Sequence, residues 1–87
     1  MRIKLSGDLT YREARLVMAR VVEQLAVPET VLDLAEVNEV DSSAIALVLA
    51  WLRRAEEQSI VLRCENVPAN LRSLAALYGV EAIVPID

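Results

Sequence analysis

Short apolar runs of strand character alternate with helical apolar stripes along nearly the whole chain, and that alternation leaves few folds open to it. Arg2 to Leu5 alternates polar and apolar residues, which predicts a half-buried edge strand ended by Ser6-Gly7-Asp8. Thr10 and Glu13 form a capping-box pattern, and Ala14, Val17, Met18, Val21 and Leu25 then recur at helical spacing, predicting a helix over residues 11–25. Beyond Pro28-Glu29, the run Thr30-Val31-Leu32-Asp33-Leu34 reads as a central strand, followed by a loop over residues 35–40. Asp41 or Ser42 is placed to cap a long helix from Ala44 to Gln58, and Ile60-Val61-Leu62 centres the next strand. Pro68 suits a first helical turn. Leu71, Leu74, Ala75 and Tyr78 form the stripe of that helix, Gly79 fits just past its end, and residues 80–86 predict a last edge strand. The order β-α-β-α-β-α-β with short links predicts one α/β domain, a mostly parallel four-stranded sheet covered by about three helices.

Composition excludes several functions. Nine Lys and Arg against thirteen Asp and Glu give a net charge of -4, the wrong sign for a phosphate-backbone binder, so no nucleic-acid partner is expected. The absence of His removes the commonest general base and any Cys/His zinc cluster, and Lys4 is the only Lys, so neither an enzyme nor a cofactor is expected. The lone Cys64 has no disulfide partner within the chain and fits a cytoplasmic setting, where it would serve as a small buried hydrophobe. The longest apolar run, Ala44 to Leu52, is far short of the ~20 residues that span a bilayer. The N-terminus lacks a signal-peptide pattern, so neither export nor a membrane span is expected.

The helix from Ala44 to Gln58 says more than fold. A wheel puts Ile45, Val48, Leu49 and Leu52 on one stripe, expected against the sheet. The opposite face then carries Ser43, Leu47, Ala50, Trp51 and Arg54, too apolar for solvent, which predicts a surface covered by a partner protein, or by a second copy when the chain is isolated. Trp51 and Arg54 are residue types enriched at binding hot spots. The turn Val40-Asp41-Ser42-Ser43-Ala44 places two hydroxyls at a helix N-terminus, where a phosphate on Ser42 or Ser43 could accept backbone N–H groups; simple capping is the plainer alternative.

The segment Leu32-Asp33-Leu34 through Val40-Asp41-Ser42-Ser43-Ala44-Ile45 resembles the signature of STAS domains, an apolar strand ending in Asp-Leu, a loop, and Asp-Ser-Ser-Gly-Leu opening a helix. The likeness covers roughly residues 2 to 86 and within the family is strongest to the MlaB-like branch, running on through Asn66-Val67-Pro68 and Leu74-Ala75-Ala76-Leu77-Tyr78-Gly79-Val80. Ala44 stands where the family usually has Gly. The resemblance implies a non-enzymatic subunit that docks on an MlaF-like ATPase of a phospholipid ABC transporter, peripheral to the inner membrane through that complex. With the outer face read from the helical wheel, the docking residues are expected to be Ser42, Ser43, Leu47, Ala50, Trp51 and Arg54, and the resemblance puts Ser42 at the position found at the ATPase interface in MlaB-like proteins. The alternative it implies is an anti-sigma factor antagonist switched by phosphorylation of Ser43.

Overall fold

The computed structural model describes residues 1–84, in the order β1 (Arg2–Leu9), α1 (Ala14–Gln24), β2 (Glu29–Val40), α2 (Ser42–Glu57), β3 (Val61–Glu65) and α3 (Ala69–Leu77). The three strands form one parallel sheet in the order β1-β2-β3, so β1 is an edge and β2 is central. Parallel neighbours need a crossover, and α1 and α2 supply the two required here.

Register separates the two faces of the sheet. Ile3, Leu32 and Cys64 lie in one row across the strands, while Arg2, Val31 and Arg63 form the row before it and Lys4, Asp33 and Glu65 the row after. Because side chains alternate along a strand, the first row faces one side and the other two face the opposite side. The first side carries Ile3, Leu5, Leu32, Leu34, Leu62 and Cys64, all buried in a single core with Val17 and Val21 of α1, Val48 and Trp51 of α2 and Leu71 and Ala75 of α3. The other side is a lattice of ion pairs: Arg2 with Asp33 and Glu65, Arg63 with Glu29 and Glu65, and Lys4 with Glu36. The aliphatic stems of these long side chains cover Val31, which is only 9% exposed.

Several sequence expectations need correction. β1 runs to Leu9, not Leu5, and β2 continues through the expected loop to Val40. Two register shifts, each placing three residues of β2 against two of β1, let the strands stay paired through Ser6-Gly7-Asp8, with Gly7 at a φ of 85° that favours glycine. Helix α1 begins at Ala14 because residues 11–13 form a turn, in which the Glu13 N–H bonds the Thr10 carbonyl; no side chain caps the helix, so the expected capping box does not form. Among the described residues the sheet has three strands where four were expected. Residues 81–83 make a turn and Val84 a bend, held by bonds from the Ile83 and Val84 N–H groups to the Val80 carbonyl; Pro85 and Ile86 of the predicted strand lie outside the described residues.

Candidate partner-docking site

Helix α2 is capped by Asp41, whose Oδ1 accepts the Ser43 N–H at 2.8 Å. Its Oδ2 accepts the Tyr11 N–H at 3.1 Å, so a single carboxylate joins the β1–α1 turn to the start of α2. Desolvation pushes the Asp41 pKa up, but the N–H groups of Tyr11 and Ser43 outweigh it and hold the carboxyl below its ordinary value. The negative charge therefore persists at the positive end of the helix macrodipole. Ser42 follows in the chain, exposed, while Ser43 is half-buried.

The structure turns α2 away from its expected orientation. Its buried arc is Ala44, Ile45, Leu47, Val48, Trp51 and Ala55, whereas Leu49 and Leu52 of the predicted core stripe are only half-buried. At 3.6 residues per turn, this is a rotation of roughly 70° from the predicted phase. Leu47 is 5% exposed and Trp51 fully buried, so neither can lie on an open face. Trp51 packs against α1 and its indole Nε1–H points to the Met18 carbonyl at 3.4 Å. The wheel erred because it weighted Leu above Ala. Ala44 and Ala55, both fully buried, bring the core side of α2 close to its neighbours, and the bulky indole fills the space toward α1.

The solvent stripe of α2 is therefore Ser42, Ala46, Arg53 and Glu57, flanked by half-buried Leu49 and Ala50, with Arg54 exposed on the side toward α1. Of the six predicted docking residues, the structure keeps Ser42, Ser43, Ala50 and Arg54 at or near the surface and removes Leu47 and Trp51. It adds Ala46, four residues after Ser42, and Tyr11, which is 69% exposed with the Arg12 guanidinium 6.0 Å from its ring centroid. The spacing of Ser42 and Ala46 could have been read from the sequence. Nothing local links Tyr11 to Asp41 thirty residues away; only the fold joins them.

The sequence profile described as Mlab, STAS domain, matches residues 1–85. The chain belongs to the STAS family. No curated protein matches it by sequence. Among solved structures, the STAS fold recurs in the unphosphorylated anti-sigma factor antagonist SpoIIAA, with a TM-score of 0.77 and 20% identity over 99% of this chain and 76% of that one. It recurs in a putative anti-sigma factor antagonist of Thermotoga maritima, with a TM-score of 0.81 and 17% identity over 98% and 77% of the two chains. A third likeness is to the STAS domain of a SulP transporter from Vibrio cholerae, with a TM-score of 0.69 and 14% identity over 98% and 70%. At these identities the likeness is one of fold. Among the described residues, no helix of this STAS chain is long and apolar enough to cross a membrane.

Proposed function

We propose that this STAS chain is a non-enzymatic subunit that docks on the ATPase of a phospholipid-transporting ABC complex and stabilises or regulates it, contributing to outer-membrane lipid asymmetry. The reading rests on the match to the MlaB-type profile over residues 1–85 together with one observation, the stripe Ser42, Ala46, Leu49 and Ala50 on the outer side of α2. A solvent helix face ordinarily carries charges, and this one carries none before Arg53. Small side chains let another backbone approach closely, and Ser42 offers a hydroxyl to it. Tyr11 and Arg12 flank the same turn through the Asp41 bridge. Leu47 and Trp51 have no direct part in docking, because both are buried in the chain's own core.

The test is recovery of the tagged chain from its native cells. An ABC ATPase should co-purify with the chain, and Ala46→Glu should abolish that recovery while leaving the circular dichroism spectrum unchanged. Full recovery of the ATPase by the Ala46→Glu protein would refute the site.

The second reading is the phosphorylation switch at Ser43, which the anti-sigma factor antagonists of the same fold bring forward. A phosphate there would carry about two negative charges next to Asp41, whose carboxylate already bonds the Ser43 N–H. That repulsion places the switch behind docking. Mass spectrometry of the native protein decides it: stoichiometric phosphoserine at position 43 would reverse the order.

A further inference from the structure

The positive charges of this acidic chain are arranged unevenly. Arg2, Lys4 and Arg63, on the open face of the sheet, are each held in ion pairs. On the helical layer, Arg15, Arg20, Arg53 and Arg54 are exposed and make no ion pair among the described residues. Two of them, Arg15 and Arg54, line an open groove of about 360 Å³ whose other lining residues, Met18, Ala19, Val22 and Glu23, all belong to α1.

The fully buried Trp51 directs its indole nitrogen at the carbonyl of Met18, a lining residue of this groove, so the groove is backed there by the core. The groove is too open to enclose a small molecule, which would need most of its surface buried. A shallow trough along α1, bordered by Arg54 of α2, fits another helix laid along it, seating apolar side chains at i, i+3 and i+4. Two unpaired guanidiniums against one carboxylate select acidic residues on the edges of that helix.

We propose that the α1–α2 groove seats an amphipathic helix of a partner protein, its apolar stripe on Met18, Ala19 and Val22 and its flanking Asp or Glu residues on Arg15 and Arg54. The groove adjoins the docking stripe of α2 through Ala50 and Arg54, and the inference builds on the reading that the helical layer meets the partner.

The experiment places a photo-crosslinking residue at Ala19, and separately at Ala46, in the full chain expressed in its native cells. Crosslinked segments are mapped by mass spectrometry, and the segment caught at Ala19 is synthesised and titrated against the purified chain. The expected result at Ala19 is a helix-forming segment with Asp or Glu beside its apolar positions. Arg15→Glu with Arg54→Glu should then weaken its binding at least tenfold, and a peptide with those acidic residues changed to Arg should restore it. Both arginines are exposed, so the double variant should fold normally. Absence of a crosslink at Ala19, a crosslink to a second copy of this chain, a segment without acidic residues, or binding indifferent to charge reversal would each overturn the proposal. Capture at Ala46 without capture at Ala19 overturns the groove and leaves the docking stripe standing; capture at Ala19 alone does the reverse.

Discussion

Asp33 shows how much one side chain of the ion-pair lattice can carry. It is 7% exposed at the centre of the open sheet face, where it accepts the Asn66 amide, the Ala35 N–H and the Arg2 guanidinium, each at 3.0 Å. These donors, led by Asn66, lower its pKa to about 2. A carboxyl held below its unfolded value stabilises the fold at any pH above that value, and the contribution fades as pH falls through the folded pKa. Thermal unfolding between pH 5 and pH 2 should therefore show a steep loss of stability in the native chain and a shallower one in Asp33→Asn. Equal slopes would show that Asp33 is not the group responsible. A second residue-scale prediction concerns Ser59, which sits at a φ of 59° just past α2, where its N–H and that of Ile60 bond the Glu56 and Ala55 carbonyls. This is the position where helices favour glycine. Relief of the left-handed conformation, about 1–2 kcal/mol, exceeds the entropic cost of glycine in the unfolded chain, so Ser59→Gly should raise the denaturant midpoint. Cys64 stands apart from this chemistry: burial pushes its thiol up to about 12, which leaves it inert.

Among the elements, α2 separates what the sequence could reveal from what it could not. Its existence, a cap at Asp41 or Ser42 and its unusual apolar breadth were legible from residue types and spacing, and the structure decides the cap for Asp41. Its phase was not, because hydrophobic weighting cannot recognise that buried Ala44 and Ala55 mark the closest approach. Trp51, expected on a docking surface, lies in the core against α1. Trp51→Ala should therefore cost about 3–5 kcal/mol of stability, the range for large aromatic truncations in cores. Chemical denaturation checks this; a loss under 1 kcal/mol would mean that the indole is not packed as described. The last predicted strand failed for a related reason: short apolar runs carry no information on pairing, and residues 81–83 form a turn. Strand β2 erred in the other direction, since the bulges that keep it paired to Val40 leave no mark in its sequence.

At the scale of the whole molecule, the two outer surfaces have opposite characters. The open sheet face pairs Arg2, Lys4 and Arg63 with carboxylates, while the helical layer exposes Arg15, Arg20, Arg53 and Arg54 without ion-pair partners among the described residues, together with the small and apolar residues of the α2 stripe. The parallel α/β architecture and the Asp-Ser-Ser turn could be read from strand–helix alternation and local chemistry. The link from Tyr11 to Asp41, and the groove lined by α1 and Arg54, depend on contacts between distant segments and became visible only once the chain was folded. The central claim is that the partner meets the helical layer at the start of α2. Its most direct measurement is a titration of the ABC ATPase proposed as the partner with three variants, Ser42→Glu and Ala46→Glu on the α2 stripe and Val61→Glu on the exposed sheet edge. Each α2 variant should weaken binding at least tenfold with its unfolding midpoint unchanged, and Val61→Glu should bind as the native chain does. Native affinity in both α2 variants, or a loss confined to Val61→Glu, would contradict it.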